Sequence, residues 1–437
     1  MKFRLRLWSL LAVLVLVGAA CAGGDVEDEG GDGAEAEGGG GEITVAAVWT
    51  GGEQESFEAV IDAFTEESGV NVTYQSSDDL GTYLGTQIEG GNPPDVAMIP
   101  QPGLMRSLAE EGSLVELGDD ATAALEENYA PVWQELGSVD GTPHGVYFKA
   151  ASKATWWYNT AAFEAAGVQP PTTYDEMLDT AQTVNQSGTP FMAVGAADGW
   201  PLTDVFENLY LQIAGPDMYD QLANHEIKWT DDTVIETLDM MLDLLSEENL
   251  AGGISGTLET TFVDSVTQTY TDPPQSASVY EGDFVAGVIS AETEATVGEE
   301  ADFFPFPLIN EGEAAVVGGG DVAVALTDSP EAQEFLSFIG TPEGAQIWAE
   351  LGGFISPNSG VDPSVYPDEI SQRIAQSLQD ASDAGNFRFD MSDLQPADFG
   401  ATAGRGMFQR FQELLRSGDS QATAKALEQD AAAAFGG

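Results

Sequence analysis

The sequence feature that most constrains the fold is a regular alternation of apolar runs and amphipathic segments over residues 42–99. Runs typical of strands lie at 42–49, 70–74 and 95–99, and the last is of the short apolar kind found in parallel sheets. The segment at 80–88 is helical, and an earlier helix has apolar residues at i, i+3, i+4 and i+7, namely Phe57, Val60, Ile61 and Phe64. This β-α-β-α-β order predicts an α/β fold with a doubly wound lobe.

The alternation also predicts where a ligand would bind in this lobe. In doubly wound sheets, ligands lie beyond the carboxyl ends of the strands. Trp49 and Thr50 follow the first predicted strand, and Gln101 follows the third. We therefore expect these three residues to be placed for ligand contact.

A second segment, residues 316–357, is predicted to tie this lobe to another one. Three glycines, Gly318 to Gly320, precede an alternating apolar run, and glycine lets a backbone turn or lie close to another surface. Ser329 and Thr341 each precede Pro-Glu, which is a hydroxyl N-cap followed by proline in the first helical turn. The segment therefore predicts a strand and two helices. The first helix packs inward through Ala332, Phe335, Leu336 and Ile339.

The middle of the chain is predicted to form the second lobe. Lys149 and Lys153 flank the predicted first crossing between lobes, and a buried strand containing Trp156 is expected directly after it. A capping box runs from Thr173 to Glu176. Residues 195–201 are interpreted as a loop that carries Trp200 between two chain breakers.

The beginning of the chain has the features of a targeting segment. Basic residues precede the apolar run 10–17, and small residues lead into Cys21, the only cysteine. This pattern resembles the lipobox of bacterial lipoproteins, which implies a signal peptide at 1–20 and a lipid anchor on Cys21. An ordinary secretory signal is the alternative. Residues 21–41 are rich in Gly, Asp and Glu and are predicted to be a flexible linker.

The charge of the chain excludes several partners. The formal net charge of −61 makes nucleic acid an unsuitable partner and disfavours contact with anionic lipids, so the membrane is approached only through the anchor. Acids are scattered through every segment, as on a hydrated surface suited to a saline habitat. Attraction of a cationic ligand is the alternative.

Five motifs, in their order along the chain, resemble family 1 extracellular solute-binding proteins of bacterial ABC importers. They are Pro94-Asp95-Val96, Trp157-Tyr158-Asn159, Pro171 to Glu176, Gly318-Gly319-Gly320-Asp321 and Thr341-Pro342-Glu343-Gly344. Four further motifs resemble the alpha-glucoside-binding branch of this family. They are Asp272-Pro273-Pro274 with Glu281-Gly282-Asp283-Phe284, Phe304-Pro305-Phe306-Pro307, Gly352 to Asn358, and Phe387-Arg388-Phe389-Asp390.

The resemblance implies a type II periplasmic-binding-protein fold, in which two α/β lobes are joined by three hinge crossings and enclose the ligand. Lobe one is expected at 42–148 plus 318–352, and lobe two at 151–316 plus 358–435. The resemblance further implies a monomeric protein outside the cytoplasm that binds an alpha-glucoside, needs no cofactor, and delivers the sugar to an ABC permease. The branch tends to have an amide near the position of Glu281, so the hydroxyl pattern bound there is expected to differ.

Sugar chemistry selects the candidate site residues. A pyranose offers hydroxyls and apolar C–H faces, so its site needs aromatic rings together with amides and carboxylates. The candidate rings are Trp49, Trp156, Trp200, Tyr280 and Phe354. The candidate polar positions beside the crossings are Lys149, Glu281, Asp283, Gly319, Asp321, Arg388 and Asp390. For the rings the alternative is core packing, and for Lys149 and Arg388 it is an internal ion pair.

Two other functions compete with sugar binding. A glycoside hydrolase would use two carboxylates, but no acid in the sequence is paired with a nucleophile. Only two histidines, His144 and His225, are present, which argues against catalytic triads and histidine metal sites. The same fold binding a peptide, polyamine or metal chelate is the second alternative. The acid excess would favour a polyamine only if it were concentrated in the cleft.

Overall fold

The structure, a computed structural model, describes residues 40–77, 80–309, 314–400 and 404–436. The predicted signal peptide and Cys21 lie outside these residues, as does the predicted linker up to residue 39. Within the described ranges, no helix combines the length and the apolar character needed to cross a membrane.

Strands and helices alternate through most of the described chain. The strands are β1 (Glu42–Ala47), β2 (Asn71–Ser76), β3 (Val96–Ile99), β4 (Ser138–Val139), β5 (Thr142–Pro143), β6 (Gly145–Ser152), β7 (Thr155–Asn159), β8 (Met192–Ala193), β9 (Ser278–Tyr280), β10 (Ala301–Pro305), β11 (Val316–Ala325) and β12 (Phe387–Phe389).

Helices cover both sheets. The α-helices are α1 (Gly51–Ser68), α2 (Leu80–Glu89), α3 (Pro102–Glu110), α4 (Asp119–Asn128), α5 (Pro131–Leu136), α6 (Thr160–Ala166), α7 (Tyr174–Ser187), α8 (Trp200–Ala214), α9 (Pro216–Ala223), α10 (Asp232–Leu244), α11 (Gly253–Thr257), α12 (Phe262–Thr269), α13 (Val285–Glu292), α14 (Pro330–Ile339), α15 (Pro342–Leu351), α16 (Glu369–Asp383), α17 (Met391–Leu394), α18 (Ala397–Gly400), α19 (Gly406–Ser417) and α20 (Ser420–Ala434), and a short 3-10 helix spans Pro363–Val365.

The larger sheet has six strands and begins with the predicted β-α-β-α-β unit. Its order is β12-β11-β3-β1-β2, and β6 pairs with the other edge of β11. Strand β1 runs parallel to both β2 and β3, which confirms the doubly wound prediction. Strand β11 is antiparallel to β3 and β6. The predicted apolar faces of α1 and α14 are the buried ones, and each helix packs inward through the four residues identified from the sequence.

The predicted helix caps form as hydrogen bonds. The hydroxyls of Ser329 and Thr341 accept bonds from backbone N–H groups of Ala332 and Gly344, at 3.2 and 3.1 Å. At α7 the capping box is shifted by one residue. Thr173 accepts from the N–H of Glu176, but the Glu176 carboxylate accepts from the N–H of Thr172.

The smaller sheet forms the second lobe and is mixed. Its order is β10-β7-β9-β8; β7 is antiparallel to both neighbours, and β8 is parallel to β9. Trp156 lies in β7 and is fully buried, where its ring packs against Phe191 and Phe304. Helices α8 and α10 pack against each other in this lobe, and the C-terminal helices α19 and α20 pack on them.

The chain passes between the two sheets between β6 and β7, between β10 and β11, and after β12. The sequence assigns residues 358–435 to lobe two, whereas Phe387–Phe389 hydrogen-bonds to β11 of the larger sheet. We therefore place the third crossing at residues 389–391. Pairing between strands so far apart in the chain has no local sequence signal, and the other predicted boundaries stay predictions.

The glycines of β11 lie inside the strand and allow a close approach to β6. A Cβ atom at Gly318 would lie 2.4 Å from the carbonyl oxygen of Ala151, and one at Gly320 would lie 2.5 Å from that of Lys149. A Cβ at Gly319 would meet only the Cε atom of Lys153, at 3.8 Å. Gly318 and Gly320 are therefore required by packing, whereas Gly319 has open space in front of it.

Candidate functional site

A cavity of about 600 Å³ lies at the junction of the two lobes. Val48, Trp49 and Pro100 line it directly after the carboxyl ends of β1 and β3, as expected for a doubly wound sheet. Strands β6 and β11, which we call its floor, line it from the larger sheet, and residues of α13 and α16 complete the lining. The residues that carry its chemistry are Trp49, Glu53, Lys149, Lys153, Asp283, Phe284, Gly319, Asp321, Phe354, Ile370, Ile374 and Asp393.

One wall of this cavity is apolar and rigid. Trp49 and Phe354 are each 2% exposed, and both pack on Trp348. The ring centroid of Trp348 lies 4.9 Å from that of Trp49 and 5.0 Å from that of Phe354. The rings thus hold one another in place, and only a small part of each faces the cavity. Phe284 and Ile370 continue the apolar surface from the side of lobe two and α16. Such a wall suits the C–H face of a ligand.

Lys149 stands at the centre of the polar wall. Its ammonium contacts the carboxylate of Glu53 and lies 5.2 Å from the ring centroid of Trp348. Asp283 and Asp321 are near enough that the Lys149 charge counteracts the rise in their pKa caused by burial. The Lys149 charge therefore acts on acids of both lobes, Glu53 and Asp321 in lobe one and Asp283 in lobe two.

Lys153 is held more deeply. Its ammonium contacts Asp390 and lies 3.3 Å from Oδ1 of Asp204, and these two carboxylates are 1% and 0% exposed. Its backbone carbonyl accepts a hydrogen bond of 2.7 Å from the hydroxyl of Tyr280. The neighbouring acids raise the pKa of Lys153 well above its usual value, although burial by itself would lower that pKa. Lys153 is therefore a charged group that neutralises buried acids at the crossing after β6.

Glu207 lies next to this group and is fully satisfied. Its carboxylate accepts bonds from the backbone N–H groups of Met391 and Ser392, at 2.7 and 3.0 Å, and from the hydroxyl of Tyr219 at 3.1 Å. Carboxylate oxygens of Glu207, Asp204 and Asp390 lie within 4.8 Å of one another, a spacing compatible with a cation. The Lys153 ammonium already supplies the positive charge there, so this cluster is structural.

Glu281 and Asp204 are two neighbouring buried acids. Both are fully buried, and no N–H or hydroxyl group of the described residues donates to Oε1 of Glu281 or to Oδ2 of Asp204. Burial is the main reason that the pKa of each carboxyl lies well above its usual range, and the hydrogen bond between them adds to this rise for Glu281. Because two adjacent buried carboxyls cannot both ionise cheaply, Glu281 keeps its proton and donates it to Asp204.

We expect Glu281→Gln to raise the stability of the protein at pH 8. The folded state keeps a proton on Glu281 that the unfolded chain loses above its usual pKa of about 4.5. The contribution of this group to stability therefore falls as the pH rises from that value towards the raised folded pKa. A glutamine amide keeps the hydrogen bond to Asp204 and has no proton to lose. Urea denaturation at pH 5 and pH 8 should show the gain at pH 8 only.

The same comparison on Glu334→Gln, an exposed acid of α14, serves as the control. It should change the stability little and equally at both pH values. Equal effects of Glu281→Gln at pH 5 and pH 8 would show that Glu281 is ionised in the folded protein.

The structure brings together six of the predicted site residues at the cavity. These are Trp49, Lys149, Asp283, Gly319, Asp321 and Phe354. Three more lie directly behind its polar wall, where they contact Lys153 or its partners: Tyr280, Glu281 and Asp390. Gln101 is exposed and lines an adjoining cavity that shares Val48 and Pro100 with the first.

The remaining predicted residues lie elsewhere. Trp156 is in the core of the smaller sheet, where its indole N–H donates to Ser278. Arg388 forms an ion pair of 2.7 Å with Asp220 and lines a different cavity. Thr50 is exposed at the N-terminus of α1. Trp200 is the first residue of α8 rather than part of a loop, and its half-buried ring lies 5.6 Å from the Lys153 ammonium.

Several residues of the site were missed. Asp204 and Glu207 lie in α8, which is buried from Pro201 to Leu211. Two acids three positions apart inside a mostly apolar helix are a usable signal, because carboxylates are seldom buried without a partner. Glu53 and Asp393 had no such signal, since the chain contains 74 acids. Phe284 belongs to the motif Glu281-Gly282-Asp283-Phe284, but the motif does not indicate that its ring would line a cavity.

The chain is similar to known proteins over most of its length. Residues 50–346 match the family model described as "Bacterial extracellular solute-binding protein". The osmoprotective compounds-binding protein GgtB of Synechocystis sp. is 35% identical over 366 residues, which cover 82% of this chain and 86% of that protein. The alpha-glucosides-binding periplasmic protein AglE of Rhizobium meliloti is 31% identical over 376 residues, which cover 83% and 81% of the two chains.

Solved structures agree on the fold. The bacterial solute receptor AcbH, which is described as having an exclusive preference for β-D-galactopyranose, superimposes with a TM-score of 0.74 at 20% identity. The superposition covers 91% of this chain and 98% of that chain. The fold is therefore the two-lobe periplasmic-binding fold.

Proposed function

Because the chain belongs to the bacterial extracellular solute-binding protein family, we propose that it captures a carbohydrate, an alpha-glucoside, between its lobes and delivers it to an ABC permease. The observation that carries this proposal is the cavity at the lobe junction, whose lining combines aromatic rings with charged groups. A pyranose needs both kinds of surface, since its C–H faces pack on rings and its hydroxyls require fixed donors and acceptors.

The size of the cavity supports a sugar of one or two rings. Its volume of about 600 Å³ lies within the range of small-molecule sites, which is about 300–1,000 Å³. Its lining comes from both lobes, so closure about the crossings would bury the ligand. The related protein AglE binds alpha-glucosides and GgtB binds osmoprotective compounds, which supports a small hydroxylated ligand.

A binding function without catalysis is the better supported of the two hypotheses. The related proteins are described as binding proteins. Glu53 is held by Lys149, and Asp204 and Asp390 are held by Lys153 behind the cavity wall. Carboxylates in such ion pairs are fixed as neutralising groups. A glycoside hydrolase would have to use the other acids of the cavity, Asp283, Asp321 and Asp393, so recovery of the intact sugar is the deciding test.

The delivery step requires that the protein act outside the cytoplasm, where its family acts. We propose that Cys21 is lipidated and holds a monomer at the outer face of the cell membrane. The acidic segment 21–41 would then be the tether that lets the two lobes reach the permease.

Titration calorimetry with maltose, trehalose and sucrose tests the function. We expect at least one of these sugars to bind with a Kd in the micromolar range or below, and to be recovered intact after prolonged incubation. Release of glucose would show catalysis instead. Failure of all three to bind, with binding of a peptide such as a tripeptide mixture, would overturn the carbohydrate proposal.

A further inference from the structure

Among the described residues, three carboxyl groups face the cavity without an ion pair, although the Lys149 charge acts on Asp283 and Asp321 and the Lys153 charge acts on Asp393. Asp321 is 8% exposed, and no side chain or backbone group of the described residues bonds to its carboxylate. Oδ1 of Asp283 is buried, and no group in the described part of the chain hydrogen-bonds to it. Asp393 lines the same cavity, and none of the described ion pairs includes it. The three lie on different elements, β11, the turn before α13, and α17, and point into one space.

The lysines of the cavity do not neutralise these groups fully. Lys149 is paired with Glu53, and Lys153 is shared between Asp204 and Asp390. The lining therefore contains four acids, Glu53 and the three aspartates, but only two lysines, one of which serves acids behind the wall. Negative charge is concentrated where the ligand would lie.

We propose that this cavity selects its ligand by charge, binding glycosides that carry an amino group at least as tightly as neutral ones and rejecting those that carry a phosphate or carboxylate. The inference rests on the proposed function and adds a ligand class to it. An ammonium group donates three hydrogen bonds and has none to accept, so it matches carboxylates that lack donors. An anion would lose its water and meet the acids Asp283, Asp321 and Asp393, because the two lysines of the lining are already paired with other carboxylates.

The titration of these groups agrees with the geometry. Burial raises the pKa of Asp321 to about 6 and the pKa values of Asp283 and Asp393 to about 7. Their negative charge is thus poorly compensated in the unliganded cavity. A bound ammonium stabilises the ionised forms and lowers these pKa values, so that binding of the amine should release protons near pH 7.

Calorimetry on the full chain at pH 7.5 tests the inference with matched sugars. Trehalose, 6-amino-6-deoxytrehalose and trehalose 6-phosphate form a neutral, cationic and anionic series, and the same three forms of maltose cover a second linkage. We expect the amine to bind as tightly as the neutral parent or more tightly. The phosphate should bind at least about 100-fold more weakly than the parent.

A single substitution assigns the effect to the cavity. Asp321→Asn keeps the shape of the side chain and should weaken binding of the amine about tenfold more than it weakens binding of the neutral sugar. Asp380→Asn, which removes the same charge from an exposed position of α16, should change neither affinity.

The outcomes separate this inference from the function on which it rests. If the neutral sugar binds and the amine binds more than about tenfold more weakly, or the phosphate binds as well as the parent, charge selection is wrong and sugar binding stands. If only the amine binds, charge selection stands and the neutral alpha-glucoside is not the ligand. If no member of either series binds, both proposals fail.

Discussion

Lys153→Met should destabilise the protein by about 3–5 kcal/mol, the usual cost of removing one partner from a buried ion pair. The substitution leaves Asp204 and Asp390, which are 0% and 1% exposed, without their positive partner. Methionine fills a similar volume, so the loss should come from uncompensated charge rather than from a cavity. Urea denaturation at pH 7.5 measures it. The loss should shrink at pH 5, because protonation relieves the unpaired carboxylates.

Lys149→Met is the matched control for this prediction. Lys149 lies four residues earlier and also contacts a carboxylate, but its partner Glu53 is 49% exposed. Exposed pairs contribute about 0–1 kcal/mol, so loss of the Glu53 contact should cost little. Loss of the Lys149 charge also raises the pKa values of Asp283 and Asp321, which can take up protons, so the total loss should stay below that of Lys153→Met. Adding Asp390→Asn to Lys153→Met should recover part of the loss. Equal losses for the two lysine variants would show that Lys153 is not the charge that neutralises the buried acids.

Gly319→Leu should weaken sugar binding by about 100-fold or more, which corresponds to about 2.7 kcal/mol. Gly319 lines the floor of the cavity, and a side chain there would extend into the space that the ligand is proposed to fill. A Cβ atom at this position meets nothing closer than Cε of Lys153 at 3.8 Å, so the fold should tolerate the change. Calorimetry and thermal melting of the same sample measure the two effects.

Two neighbouring substitutions separate blocking from unfolding. Gly319→Ala adds a single methyl group and should reduce the affinity less than about tenfold. Gly320→Ala places a Cβ atom 2.5 Å from the carbonyl oxygen of Lys149, and it should lower stability because β6 and β11 must move apart. Unchanged affinity in Gly319→Leu would show that the ligand does not lie against β11.

The position of the acids in the structure bears on the alternative that the ligand is a polyamine. From the sequence, a polyamine ligand was favoured only if the acid excess were concentrated in the cleft. The structure places Asp283, Asp321 and Asp393 at the cavity without basic partners of their own. The same cavity has an aromatic wall at Trp49 and Phe354, which an extended polyamine would not use. The combination fits a glycoside that carries an amine better than a polyamine.

Local patterns were sufficient for the elements of the fold. The 3.6-residue spacing predicted the buried faces of α1 and α14, and the hydroxyl-Pro-Glu signals predicted the starts of α14 and α15. The order of strands and helices predicted parallel pairing of β1 with β2 and β3, and a cavity lies beyond the carboxyl ends of these strands, where a ligand is predicted. Each of these properties depends on residues only a few positions apart or on a general topological rule.

What only the tertiary structure decided is which of the candidate groups meet. Trp49 and Trp156 both belong to sequence runs typical of strands. Trp156 lies in the core of the smaller sheet, whereas Trp49 lines the cavity. The partners of Lys153 are 51 and 237 residues away, and β12 joins β11 across about seventy residues. The sequence contains 74 acids and does not specify which of them pair with a lysine or arginine. Ion pairs and strand registers depend on distances in space, which local periodicity does not give.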